Sequence, residues 1–102
     1  MFRQKIYDLA KKIPKGNVAT YGQLATLAGS PKAARAVGMC MSQNHNPEIV
    51  PCHRVVASNG KLTGYSMGKG ISTKKAMLIK EGVIFIGDRV DLTVSQWKRK
   101  LK

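Results

Sequence analysis

The chain is 102 residues long, enough for one domain with a modest core and too short for two. Its 43% hydrophobic content argues against disorder, and it has no run of about 18 apolar residues that could cross a membrane. Eighteen Lys and Arg against five Asp and Glu give a formal charge of +13. That imbalance points to a polyanionic partner, because neutralising phosphates releases condensed counterions. The N-terminus lacks the apolar segment and cleavage site of a signal peptide, so a cytoplasmic, nucleoid-associated location is expected. In that setting Cys40 and Cys52 are expected as free thiols. With His45 and His53 they lack zinc-finger spacing, so neither metal nor cofactor is expected.

Phe2, Ile6, Leu9 and Ile13 recur at helical spacing, predicting a helix over residues 2–12 that Pro14-Lys15-Gly16-Asn17 stops. Thr20-Tyr21-Gly22-Gln23 is a capping box, with Thr20 as cap and Gln23 returning the bond. Leu24, Ala25, Leu27 and Ala28 supply the buried face of that second helix, and Gly29 ends it. Ser30 as N-cap and Pro31 at the first helical position predict a third helix over about 31–43. Two closely joined helices on a basic chain read as a helix-turn-helix, the alternative being an ordinary helical hairpin. The third helix favours the former. Its outer edge is small (Ala33, Ala34) and carries Lys32 and Arg35, so its backbone can approach a DNA groove while a long cation reaches inside.

After a loop at 44–48, the β-branched run Ile49–Val56 is interrupted by Pro51-Cys52-His53-Arg54. Asn59-Gly60 predicts a hairpin turn between Val55-Val56 and Lys61-Leu62, making a small β wing. Gly64, Gly68 and Gly70 mark a loop around Tyr65 and Ser66. A fourth helix is expected over about 72–81, with Ala76, Leu78 and Ile79 facing inward and Gly82 as its cap. A short strand over 83–86 then leads into the Gly87-Asp88 turn. The tail, 93–102, offers Trp97 and Leu101 for docking and ends in a basic cluster. The expected fold is mainly α with a small β wing, a winged helix-turn-helix-like single domain over 1–102 with its core in 2–86.

Pro51-Cys52-His53-Arg54 carries the chemistry. A cysteine is a strong nucleophile only as thiolate, and adjacent basic or cationic groups favour that form. The competing reading is a small buried hydrophobe, which is the expectation for Cys40 between Met39 and Met41. Glu81, one of five acids, falls at a helix C-terminus, where the macrodipole disfavours it. It is either a solvated surface carboxylate or the third member of a relay that orients His53.

These residues resemble a known family. Pro51-Cys52-His53-Arg54-Val55-Val56 and the preceding Ser30–Gly38 are similar to the DNA-binding and active-site domain of the O6-alkylguanine-DNA alkyltransferases. So are Val18–Ala25, the 44–47 loop, Gly64-Tyr65-Ser66 and Glu81-Gly82-Val83, in the same order. The resemblance implies that Cys52 accepts the alkyl group, with His53 as base through a water and Glu81 orienting it. It implies that Tyr21 donates to the leaving guanine and that Arg35 enters the duplex where the target nucleotide leaves. Lys32, Ala33, Ala34, Thr20 and Ser30 would accompany Arg35 on the DNA. Asn44 would brace the turn between recognition helix and active site, and Met41 and Tyr65 would wall the pocket. The Ser66 N–H would face O6, and the Cys52 and Val55 carbonyls would accept from the exocyclic amine. The implied partner is double-stranded DNA containing O6-alkylguanine, bound by a monomer and without a membrane. The family's N-terminal domain is expected to have no counterpart here. One-domain alkyltransferase-like relatives bind the lesion without transfer and recruit excision-repair proteins, but they carry a non-cysteine where this chain has Cys52. A plain helix-turn-helix regulator would have no use for Pro51-Cys52-His53-Arg54.

Overall fold

The computed structural model describes residues 2–44, 49–62 and 70–98. Helix α1, Phe2–Ala10, buries Ile6 and Ala10. It stops two residues before the expected end, because Lys12 and Ile13 donate to Leu9 and Ala10 in a tightened last turn. Strand β1, Ala19–Thr20, runs directly into α2, Tyr21–Leu27. The capping box forms as expected: Thr20 Oγ1 accepts from the Gln23 N–H at 3.0 Å, and Gln23 Oε1 accepts from the Thr20 N–H at 3.3 Å. The far end of α2 closes with Ser30 N–H on the Ala25 carbonyl and Gly29 N–H on the Thr26 carbonyl, the paired bonds of a Schellman motif.

Helix α3, Ala34–Ser42, begins three residues later than expected, and Ser30 does not cap it. The Ser30 carbonyl instead accepts from the Ala33 N–H at 2.9 Å, so Ser30-Pro31-Lys32-Ala33 is a turn. Proline suits the second position of such a turn as well as the first position of a helix, since both need the same φ. Helices α1, α2 and α3 pack on one another around Ile6, Leu24, Val37, Cys40 and Met41.

The Pro51-Cys52-His53-Arg54 insert forms a 3₁₀ turn, Cys52–Arg54, and Val55–Val56 is strand β2. β2 does not form a hairpin with Lys61-Leu62; it pairs in parallel with β1, Ala19 opposite Val55 and Thr20 opposite Val56. Asn59-Gly60 still turns the chain, with Ala57 N–H on the Lys61 carbonyl, but Lys61 bridges to Arg89. The β wing is the antiparallel hairpin of β3, Phe85–Ile86, and β4, Arg89–Val90.

Helix α4, Ile71–Lys80, buries Lys74 and Leu78 one turn apart, whereas Ala76 and Ile79 are exposed, contrary to the sequence expectation. A lysine can occupy the inner face because a buried carbonyl receives it, as described below. A short α5, Leu92–Ser95, brings Trp97 back against the α1–α3 core. Gln23 Nε2 donates to the Trp97 carbonyl at 2.6 Å and so pins the returning chain. Leu101 lies outside the described residues. Among the described residues, no helix is long and apolar enough to cross a membrane.

Candidate active site

The site grows from the parallel pairing of β1 and β2. That pairing sets the start of α2, and with it Tyr21, beside the turn that carries Cys52. Tyr21 is half-buried and packs on the same core cluster as Cys52 and Met41. The turn is braced from α3. Asn44, 4% exposed, donates from Nδ2 to the Val50 carbonyl at 2.9 Å, and the Cys52 N–H donates to that same carbonyl at 2.8 Å. One acceptor therefore couples Asn44, just past the end of α3, to the backbone of the cysteine.

Cys52 and Cys40 are both free and buried. His53 is 4% exposed, and its Nε2 lies 3.1 Å from Glu81 Oε2. Glu81 is held ionised, its carboxyl pushed down to about 2, chiefly by hydrogen bonds from Arg54 and also by His53. A carboxylate only accepts, so Nε2 carries the hydrogen and donates it. Burial lowers His53 below its usual value, outweighing the Glu81 contact, so the imidazole is neutral at pH 7 and Nδ1 keeps a bare lone pair. Nδ1 is fully buried and has no hydrogen-bond partner among the described residues. A buried lone pair without a donor is costly, and it marks a position for a water or a reacting proton.

Glu81 is placed by its helix end. It is the C-cap of α4, and Gly82 (φ +94°) and Val83 donate to the Ile79 and Leu78 carbonyls in a second Schellman closure. Leu78 and Val83 are buried in one cluster and fasten that closure, as such motifs require. The carboxylate thus sits where the macrodipole opposes it, and side chains compensate.

Two cations near the site make contacts that the sequence reading did not assign. Arg54 grips Glu81 with a fork, Nε to Oε1 at 2.9 Å and Nη2 to Oε2 at 2.7 Å, and its Nη1 donates to the Ile13 carbonyl at 2.8 Å. Lys74, 1% exposed, donates from Nζ to the Val55 carbonyl at 2.7 Å. Burial pushes Lys74 down to about 8, and a thiolate at Cys52 acts in the opposite sense on it. Arg54 stood beside the cysteine in the sequence and was available as a signal; nothing in the local pattern of α4 distinguished Lys74 from its neighbour Lys75.

The remaining expected residues divide by position. Lys32 and Arg35 are exposed, with Ala33 and Ala34 half-buried at the start of α3. Thr20 is 7% exposed and works as the α2 cap, while Ser30 lies in the turn before α3. Val55 is fully buried, and its carbonyl already has Lys74 as one donor; the Cys52 carbonyl already accepts from the Val55 N–H. A carbonyl has two lone pairs, so one such bond does not saturate either oxygen. Tyr65 and Ser66 lie outside the described residues.

The arrangement is that of a protected thiol next to a neutral imidazole whose orientation is fixed by a carboxylate. The sequence profile described as "6-O-methylguanine DNA methyltransferase, DNA binding domain" matches residues 1–83. The methylated-DNA–protein-cysteine methyltransferase of Methanosarcina acetivorans is 46% identical over 81 residues, 79% of this chain and 51% of that protein. The protein of the same name from Cricetulus griseus is 48% identical over 81 residues, 79% of this chain and 38% of its own length. The chain thus spans about half or less of these curated relatives. Among solved structures, S. pombe Atl1 in complex with damaged DNA containing O6-carboxymethylguanine superposes with a TM-score of 0.82 at 35% identity, covering 96% of this chain and 95% of that one. Mycobacterium tuberculosis OGT in complex with DNA gives 0.73 at 46% identity, covering 79% and 49%. The extent of the profile match and these identities establish that the chain belongs to the 6-O-methylguanine DNA methyltransferase family, in its DNA-binding domain.

Proposed function

We propose that the chain repairs DNA by direct reversal: it binds duplex DNA containing O6-alkylguanine, turns the damaged nucleotide out of the stack and takes the alkyl group onto Cys52. The observation that carries this reading is the bare, buried Nδ1 of His53 in the residue next to Cys52, oriented by Glu81. The relatives named as methylated-DNA–protein-cysteine methyltransferases support it.

An alkyl group on O6 lies within the base stack, so the nucleotide must be extruded at a cost of a few kcal/mol, reduced by the weakened pairing of the lesion. Arg35 fills the gap from the groove, and the small edge of Ala33 and Ala34 beside Lys32 lets α3 come close. The thiol proton passes through a bridging water to His53 Nδ1. The thiolate forms the S–C bond as the C–O6 bond breaks, and the released electron pair goes to the purine, which takes up a proton with the Tyr21 hydroxyl as donor. Met41 and Tyr65 wall the base, the Ser66 N–H meets O6, and the free lone pairs of the Cys52 and Val55 carbonyls accept from the exocyclic amine. The thioether is not readily cleaved, so each molecule acts once. The protein works as a monomer in the cytoplasm, on the nucleoid.

A second reading has one observation in its favour: the likeness to Atl1 runs over nearly the full length of both chains. On that reading the protein holds the lesion without transfer and recruits excision-repair proteins. Incubation with duplex DNA carrying O6-methylguanine, followed by mass spectrometry, separates the two. The expected product is a single methyl group on the Cys52 peptide, absent in Cys52→Ala, which still binds. Tight lesion binding with an unmodified Cys52 refutes transfer and leaves the second reading.

A further inference from the structure

The transfer reading assigns no task to Arg54, whose guanidinium meets the relay through Glu81. We infer that Arg54 is the positioning residue that keeps His53 a base: its fork holds the Glu81 carboxylate so that one oxygen meets Nε2, and its charge balances the carboxylate that the imidazole faces. The inference rests on the transfer reading for its consequence, but not for its measurement.

The geometry supports both halves. A guanidinium that meets a carboxylate through two parallel bonds fixes its plane as well as its distance, which a point charge cannot do. Here the guanidinium is itself tied on a third side, to the Ile13 carbonyl three residues past α1. The 13–17 turn also runs close to the backbone of Glu81: a Cβ on Gly16 would come within 3.3 Å of the Glu81 carbonyl oxygen. Glu81 therefore cannot swing away from His53 without breaking the Arg54 fork. Arg54 and Glu81 are only 13% and 15% exposed in their side chains, so solvent screens little of this.

The electrostatic half follows from what surrounds the imidazole. Glu81 faces it from the C-cap of α4, Lys74 from the body of α4, and Arg54 from its own turn. A carboxylate 3.1 Å away, left unbalanced, would favour the imidazolium, and an imidazolium has no lone pair to take the thiol proton. Burial is the largest influence keeping the ring neutral; Arg54, with Lys74, offsets part of the Glu81 pull, while its fork keeps the carboxylate in place as acceptor for Nε2–H. The guanidinium thus serves both demands on Glu81, to orient His53 and yet not to protonate it.

The test uses the full chain, with His53 followed by proton NMR of its Cε1–H resonance, assigned through a His45→Asn variant, and with the pH profile of single-turnover methyl transfer. In Arg54→Gln the His53 midpoint rises by about one unit, a tenfold change in its protonation constant, and the acid limb of the transfer profile moves up with it. A folded Arg54→Gln whose His53 titrates as in the wild type overturns the inference, as does a rate that falls equally at all pH values, the signature of a merely structural residue. Should Arg54→Gln fail to fold, nitrogen-15 spectra of the wild type at pH 7 still decide. His53 must be neutral with its hydrogen on Nε2, and an imidazolium or an Nδ1–H form overturns the inference. Absence of transfer in the wild type would sink the transfer reading alone, because the NMR results stand without it.

Discussion

Replacing Glu81 by Gln tests the relay as a structural unit. The carboxyl is pushed from 4.5 to about 2 in the folded protein, and this depression corresponds to about 3 kcal/mol of stability at neutral pH. The magnitude agrees with geometry: both side chains of the ion pair are largely shielded, and removing one member of such a pair costs about 3–5 kcal/mol, against about 1 kcal/mol or less at the surface. The linkage sign follows from the depression. The stabilisation is complete above 4.5, where the unfolded carboxyl is also ionised, and is lost as the pH falls from 4.5 towards 2. Glu81→Gln should lower the thermal midpoint at pH 7 by about 15 °C in a domain of this size. It should also remove the loss expected of the wild type between pH 4.5 and 2. The single Trp97, half-buried against the core, reports unfolding by fluorescence in urea at a series of pH values. A variant as stable as the wild type at pH 7, or one retaining the same acid slope, would refute the assignment of Glu81 as the buried anion that His53 and Arg54 share.

Four further outcomes are expected. In Gly60→Ala the added Cβ would collide with the Val90 carbonyl oxygen at a φ of +86°, so unfolding should become easier by about 2 kcal/mol or more; Gly22→Ala in α2, with nothing within 4 Å, should stabilise by up to about 1 kcal/mol, both read from urea midpoints. Asn44→Ala removes the tie between the end of α3 and the Val50 carbonyl, and should cost about 1–3 kcal/mol and slow methyl transfer, whereas a rate equal to wild type would show that the brace is not needed for the chemistry. Lys74 is depressed from 10.5 to about 8, so its burial penalty is complete below pH 8 and fades as the pH rises towards 10.5; wild-type stability should therefore gain over pH 8–10 relative to Lys74→Met, and parallel pH curves for the two proteins would contradict this.

Local chemistry was legible in the sequence and long-range pairing was not. The α2 capping box and the Gly29 and Gly82 closures depend on residues within a few positions of one another, and each forms as expected. Such features are decided by backbone sterics and side-chain reach, which the order of residues states directly. Ser30-Pro31 misled because one φ serves both a turn and a helix start.

What the tertiary structure alone decided is which distant groups meet. Arg54 reaches Glu81 across 27 positions and Ile13 across 41, and Lys74 reaches the Val55 carbonyl across 19. β2 chose β1 over its own neighbour at Lys61. The sequence by itself determined a basic helix-turn-helix with a cysteine and histidine side by side; it could not reveal that the histidine would be neutral with Nδ1 bare. That state depends on burial and on the balance of charges brought together when the chain closes, and neither quantity exists until it has folded.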